Sequence, residues 1–121
     1  MTYIGDRRLR RSHDASLALR YQLEAIRAVA ASEAVLLADD TGMCLASSGE
    51  RALCEELAAW LPLLGSLDLL GRGHEVEALG RPIGIRRMQL EQTRLYVCAV
   101  GRASEDPLER CASGVARILA G

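Results

Sequence analysis

The chain has 121 residues, which is enough for one domain, since single domains cluster near about 100–150 residues. Half of the residues are hydrophobic, with no Phe and one Trp, so aliphatic side chains must supply most of the energy of burial in the core. The net charge is −1 and aromatic residues are scarce. This composition argues against general nucleic-acid binding, which needs a basic face and aromatic stacking platforms.

The charge is unevenly distributed along the chain. Residues 1–13 carry four Arg and one Asp, whereas the acidic residues outnumber the basic ones in the rest of the sequence. We therefore predict a basic N-terminal arm over residues 1–13, with the Arg-rich run at residues 7–11 as a solvated segment, and a single domain over residues 14–121. Docking of this run on an anionic surface is the alternative.

Cysteine usage and hydropathy indicate the compartment. The four cysteines are scattered and form no CxxC pair, which is typical of free thiols in a reducing environment. The sequence has no uninterrupted apolar stretch of about 18 residues, and its Arg-rich start is not followed by the apolar core of a signal peptide. We expect a cytoplasmic protein that does not insert into a membrane.

The first predicted element is an amphipathic helix over Asp14–Ala31, with Ser12 or Asp14 as its N-cap. Its core-facing stripe is formed by residues four, three and four positions apart, namely Leu19, Leu23, Ile26 and Ala30. A second apolar patch, formed by Leu17, Tyr21 and Ala28, lies on the opposite side among charged residues. We predict that this patch is a surface for binding a partner protein.

A β-hairpin and a second helix follow. The apolar run Glu33–Ala38 predicts a strand buried on both faces, and residues 39–42, with the sequence DDTG, favour a tight turn before Met43–Ser47. Helical periodicity then returns from Glu50 to Leu64. Pro62 is expected to kink or end this helix near residues 58–60, and the segment 64–73 is expected to form an apolar loop or a short helical turn.

The last part of the sequence predicts three strands and a helix. The strands are His74–Leu79, Ile83–Leu90 with a β-bulge that brings its apolar residues to one face, and a central strand Leu95–Val100. The closing helix has Asp106 as N-cap and Pro107 at its first position. The order α-β-β-α-β-β-β-α predicts an α+β domain with a five-stranded, mainly antiparallel sheet flanked by helices.

No combination of residues predicts catalysis, a cofactor site or a metal site. His13 and His74 are interpreted as surface histidines, since no nucleophile motif accompanies them and the cysteines are too far apart for typical zinc-ligand spacing. The glycine-rich segments at residues 71–73 and 80–84 match no phosphate-binding motif and are interpreted as turns. The pair Asp39 and Asp40 is expected to bond its own turn backbone. We therefore expect a protein that is not an enzyme.

The order of elements, together with the segment EAVLLADDTGMCLA at residues 33–46, resembles the roadblock/dynein light-chain family, in particular its bacterial-type roadblock domains. The resemblance covers roughly residues 14–120 and implies a roadblock/profilin-like fold. It also implies a non-catalytic, dimeric regulator or scaffold that binds a Ras-like small GTPase or a larger protein assembly, without a nucleotide or cofactor of its own.

The same resemblance implies where the homodimer forms, namely through the helix Leu53–Leu64 and the strand His74–Leu79. An edge strand that needs covering and Trp60 as an apolar anchor are compatible with this interface. The predicted interface residues are Leu53, Leu57, Trp60, Leu61, Leu64, Val76 and Ala78.

The alternative function is that of a GAF- or PAS-like sensory module that binds a small molecule, since such domains have a similar mixture of strands and helices. It requires a pocket with aromatic and polar lining, which this short, aromatic-poor chain does not indicate.

Overall fold

The computed structural model describes residues 3–65, 74–78, 80–101 and 105–120; at residues 3–13, 64–65, 74–78, 81 and 105–107 only the backbone is described. The elements, in chain order, are α1 (Tyr3–Ala30), β1 (Ala34–Asp39), β2 (Cys44–Ser48), α2 (Arg51–Gly65), β3 (His74–Ala78), β4 (Arg81–Leu90), β5 (Thr93–Val100) and α3 (Glu105–Ala120).

The strands form one sheet in the order β2-β1-β5-β4-β3, and every neighbouring pair is antiparallel. The predicted α+β class with an antiparallel sheet is confirmed. β5 occupies the centre, and its residues 95–100 are all buried, as their continuous apolar character predicts. β2 and β3 lie at opposite edges.

Helices cover both faces of the sheet and produce two core layers. Val35 and Leu37 of β1 pack into the layer beneath α1 and α3, whereas Leu36 and Ala38 pack into the layer beneath α2. All four side chains are fully buried. The first strand is therefore apolar at consecutive positions because each of its faces meets a helix, as predicted.

The prediction of a β-bulge within Ile83–Leu90 was wrong. β4 pairs with β5 in continuous register from Ile83 to Leu90. Ile83 and Ile85 contribute to the α2 layer, while Met88 and Leu90 pack against the layer of α1 and α3. The apolar residues change from one face of the strand to the other because helices cover both faces of the sheet. Each pair of residues therefore packs into the core layer on its own side.

A bulge does occur in the first hairpin, where no feature of the sequence predicted it. Leu37 pairs with Ala46 and Ala38 pairs with Cys44, which leaves Leu45 as the extra residue of β2. Leu45 is 43% exposed.

The predicted helix starts also need correction. α1 begins at Tyr3, so Ser12 and Asp14 lie inside the helix and cannot be its N-cap; the backbone of residues 3–13, predicted as an arm, continues this helix. The Arg residues in this segment are good helix formers, which explains the earlier start. α3 begins at Glu105, one residue before the predicted cap.

Pro62 does not end α2 near residues 58–60. The helix continues to Gly65 with Pro62 inside it. Pro62 lies only three residues from the end, so the ladder bond that it removes belongs to the last turn, where few bonds follow. The predicted apolar loop lies outside the described residues from position 66 to 73.

Candidate protein-binding surfaces

The side of α2 that faces the sheet belongs to the core of this chain. Leu53 is 7% exposed, and Leu57 and Leu61 are fully buried, packed on the strands together with Cys54 and Ala58. These three leucines of the predicted dimer interface are therefore packed within their own chain. The 3.6-residue period identified an apolar stripe, but this stripe contacts the sheet and is not available to a second chain.

The outward side of α2 carries a second, exposed apolar surface. Trp60 is 48% exposed and Leu63 is 66% exposed, and the small residues Ala52 and Ala59 lie on the same side. Only Trp60 of this set was predicted as an interface residue. Leu63 was missed because it lies outside the apolar stripe of α2 from which the interface was predicted.

The turn of the first hairpin lies against the middle of this helix. A Cβ on Gly42 would be 3.2 Å from the Cα atom of Ala59, so the backbones are in close approach. Met43 follows Gly42 and is 61% exposed. We call Met43, Ala59, Trp60 and Leu63 the α2 face.

Strand β3 is the second element of the predicted dimer interface. Among the described strands it pairs with β4 alone and forms an edge of the sheet. Val76 and Ala78 lie on it, opposite Ile83 and Arg81, but their side chains, like that of Leu64, lie outside the described residues.

The patch predicted on α1 is also on the surface. Tyr21 is 64% exposed, Ala28 is exposed, and Leu17 is half-buried. Val29, 69% exposed, extends this surface at the position eight residues after Tyr21. We call Leu17, Tyr21, Ala28 and Val29 the α1 face. Helical spacing could have identified Val29, which was left out.

A groove of about 630 Å³ runs along the outer edge of β2, between α1 and α2. Its floor is β2 itself, from Cys44 to Ser48, followed by Gly49. Charged side chains form much of both walls, namely Arg20, Glu24 and Arg27 of α1 and Arg51 and Glu55 of α2. No sequence pattern indicated this groove, because it depends on how two distant helices flank one strand.

Asp39 stabilises the turn of the first hairpin through hydrogen bonds. Oδ1 of Asp39 accepts hydrogen bonds from the Thr41 N–H at 2.9 Å, the Thr41 hydroxyl at 2.6 Å and the Met43 N–H at 3.1 Å. Burial by itself raises the pKa of Asp39, but these hydrogen bonds outweigh it and lower the pKa below its ordinary value. Asp39 bonds its own turn, as predicted.

The four cysteines are free thiols, with Cys44 half-buried and Cys54, Cys98 and Cys111 buried. Burial raises the pKa of each of them, to about 12 for Cys111. All four are protonated at neutral pH, so they have little thiolate available for nucleophilic chemistry.

The described part of the chain contains neither a cluster of metal ligands nor a membrane-spanning helix. No three His, Cys, Asp or Glu side chains there are gathered as metal ligands would be. No helix there is long and apolar enough to cross a bilayer. The side chains of His13 and His74 lie outside it.

The fold can be compared with known proteins at this point. No protein-family model and no curated protein matches the sequence. Solved structures do match. The gliding protein MglB from Thermus thermophilus superimposes with a TM-score of 0.67 at 14% identity, covering 86% of this chain and 90% of that one.

Two others are similar. An MglB with a tetrameric arrangement gives a TM-score of 0.64 at 17% identity, with 86% and 89% coverage. A Roadblock/LC7 domain from Streptomyces avermitilis gives 0.61 at 16% identity, with 84% and 94% coverage. The chain therefore has a roadblock-type fold, as the resemblance implied.

Proposed function

We propose that this protein is a non-catalytic regulator or scaffold that acts as a homodimer and binds a partner protein, either a Ras-like small GTPase or a larger assembly. The observation that carries the proposal is the exposed apolar surface of the α2 face, together with the edge position of β3 in the sheet. The roadblock-type fold supports it, because the resemblance implies dimers formed through these same two elements.

The α2 face has the composition of an interface centre. Trp60 and Leu63 expose large apolar surface, and the neighbouring Ala59 is small enough to let a second helix approach closely. In the proposed dimer, the two β3 edges pair across a two-fold axis and the α2 faces of the two chains contact each other. One contact thus removes both an apolar surface and an unpaired edge from water.

Leu63→Glu tests the dimer. A carboxylate buried in the interface without a partner is strongly unfavourable, so we expect a monomer at micromolar concentration by light scattering, where the unmodified protein is a dimer. Val29→Glu is the matched control, since Val29 is equally exposed on α1. It is expected to leave the dimer intact.

Trp60 provides a second readout because it is the only Trp in the chain. Its emission should shift to the red on dilution of the unmodified protein and stay constant for Leu63→Glu. A monomeric unmodified protein, or a Leu63→Glu variant that still dimerises, would contradict the proposed interface.

The α1 face is the proposed contact for the partner. Tyr21 is its largest exposed side chain and combines apolar area with a hydroxyl group, as interface anchors commonly do. Affinity capture from the native lysate, with GDP or a non-hydrolysable GTP analogue added, is expected to recover a small GTPase, identified by mass spectrometry. Its recovery should depend on the added nucleotide.

Tyr21→Glu is expected to lower this recovery at least tenfold and to leave the dimer unchanged. Arg110→Glu, which introduces the same side chain on an exposed residue of α3, serves as the control and should capture normally. Capture of neither a GTPase nor a defined assembly would contradict the proposed partner. Normal capture by Tyr21→Glu would exclude the α1 face as the contact surface.

The alternative function as a small-molecule sensor stays a prediction. The groove beside β2 is where its ligand would bind. The groove lies on the outside of the sheet and is walled by charged side chains, so it lacks the enclosed, mainly apolar lining of typical ligand pockets. A thermal-shift screen separates the two functions, because only a sensor is stabilised by a metabolite in the absence of any protein partner.

A further inference from the structure

The outer edge of β2 has backbone groups to which no strand of the sheet is bonded. The pairing of β1 with β2 shows which residues of β2 carry these unbonded backbone groups. The Asp39 N–H donates to the Met43 carbonyl, so this pair is a bonded one. Bonding direction alternates along an antiparallel pair, so the residues opposite Ala38 and Leu36, which are Cys44 and Ser47, direct their backbone groups away from β1.

This edge carries little of the protection that edge strands usually have. β2 contains no Pro and no charged residue, and three of its five side chains are Ala or Ser. Natural edges are commonly blocked by inward-pointing charges, by Pro or by a covering segment. β2 is short and contains one bulge, so the edge suits a partner strand of only a few residues.

The helices flank the edge without filling the space beside it. α1 contributes one wall of the groove through Arg20, Glu24 and Arg27, which lie three to four residues apart and therefore on one side of the helix. α2 contributes the other wall through Arg51 and Glu55. The groove is thus a channel whose floor is a row of peptide groups.

The charges along this channel are unbalanced in favour of arginine. Arg51 is paired with Glu55 at 3.0 Å. Within the described part of the chain, Arg20, Glu24 and Arg27 of the α1 wall form no ion pair, so this wall has one positive charge in excess. Arg27 lines the same channel as Arg51 and Glu55 of α2, so the two walls border one space.

We propose that this groove binds an extended, acidic segment of a partner protein, which joins the sheet as an additional strand beside β2. The segment exchanges backbone hydrogen bonds with Cys44 and Ser47. Because successive side chains of a strand point to opposite faces, acidic residues at alternate positions all face the α1 wall and meet Arg20 and Arg27. Backbone pairing supplies affinity, and the arginines select for acidic segments. This proposal does not rest on the proposed dimer or on a GTPase partner, although Leu17 of the α1 face also lines the groove.

A random peptide library displayed on phage tests the proposal. It is panned in parallel on the unmodified protein and on Ser47→Pro, which removes one outward N–H without removing a bond to β1. We expect enrichment on the unmodified protein alone of peptides with Asp or Glu at alternate positions. No enrichment, or equal enrichment on Ser47→Pro, would overturn the proposal.

The most enriched peptide is then synthesised and its affinity measured. Ser47→Ala, which keeps the N–H and loses only the hydroxyl, is the matched control and should bind as well as the unmodified protein, whereas Ser47→Pro should bind at least tenfold more weakly. Equal affinity of the proline and alanine variants would exclude pairing at this edge.

A second variant keeps the test valid if Ser47→Pro does not fold. Arg27→Glu reverses one charge of the α1 wall and should weaken binding of the acidic peptide about tenfold, more at low than at high salt. Arg110→Glu makes the same change on an exposed residue of α3, away from the groove, and should have no effect. Equal effects of the two variants would rule out recognition by the groove arginines.

Hydrogen exchange distinguishes a strand from other occupants. The bound peptide should slow exchange of the Cys44 and Ser47 amides. Unchanged exchange at both amides, or displacement of the peptide by equimolar inorganic phosphate, would show that the groove holds a helix or merely an anion, and the proposal of an added strand would be wrong.

Discussion

At the scale of single residues, backbone conformation fixes two positions of the first hairpin. Gly42 has φ +87° and follows the two central residues of the turn, a position at which a positive φ is required. The Gly and Asp residues of the turn could be identified from the sequence. Gly49, at the end of β2, could not, because its constraint comes from a distant part of the chain.

Gly49 has φ +122°, and a Cβ there would lie 2.7 Å from the Cβ of Ala34 and 2.8 Å from the carbonyl oxygen of Glu33. Both the strained φ and the clash with β1 oppose a side chain. We expect Gly49→Ala to lower the free energy of unfolding by about 2–4 kcal/mol, measured by urea denaturation.

Gly80→Ala separates the two causes. Gly80 also has a positive φ, of +72°, but a Cβ there meets nothing within 4 Å. Its substitution should cost only the conformational strain, about 1–2 kcal/mol. Equal losses in the two variants would show that the contact with Ala34 does not matter.

At the scale of elements, α2 shows what periodicity can and cannot indicate. The apolar residues of this helix fall on two sides, one against the sheet and one outward. The sequence predicted a helix with an apolar stripe correctly, but a periodic pattern does not say whether a stripe faces the chain's own sheet or a second chain. Three of the four leucines assigned to the dimer, Leu53, Leu57 and Leu61, lie on the side against the sheet.

The two sides of α2 should respond differently to truncation. Leu57→Ala leaves a cavity in the α2 layer and is expected to cost about 2–5 kcal/mol at any protein concentration. Leu63→Ala removes only exposed surface from the single chain and should change its intrinsic stability by less than about 0.5 kcal/mol.

Denaturation midpoints at several protein concentrations test this difference. For Leu63→Ala, we expect the loss of stability to appear only where the unmodified protein is a dimer. A concentration-independent loss of several kcal/mol for Leu63→Ala would mean that Leu63 is part of the core.

At the scale of the whole molecule, the two open edges of the sheet have different surroundings. β2 lies beside the groove with its arginines, whereas β3 lies at the far edge of the sheet, away from the groove. The order β2-β1-β5-β4-β3 places four strand spacings between them, about 19 Å. One edge can therefore serve self-association while the other remains open.

This separation predicts that the two events are independent. The acidic peptide selected on the unmodified protein should bind the Leu63→Glu variant with the same affinity, measured by calorimetry, because Leu63 does not line the groove. A loss of peptide binding in that variant would show that the groove is complete only in the dimer.

The sequence by itself determined the elements, their order and the α+β class, because periodicities of 2 and 3.6 residues and turn residues such as those at 39–42 are local properties of the chain. It also indicated the central place of β5 through its continuous apolar run. These features follow from short-range steric preferences and from which residues avoid water.

Only the tertiary structure decided which apolar side chains remain exposed and which charges gather. The parity change in β4, the outward position of Leu63 and the groove between α1 and α2 all depend on elements far apart in sequence. Local patterns say that a residue prefers burial, but only the packing of distant elements determines which surface buries it. That packing leaves the α2 face, the α1 face and the β2 edge uncovered.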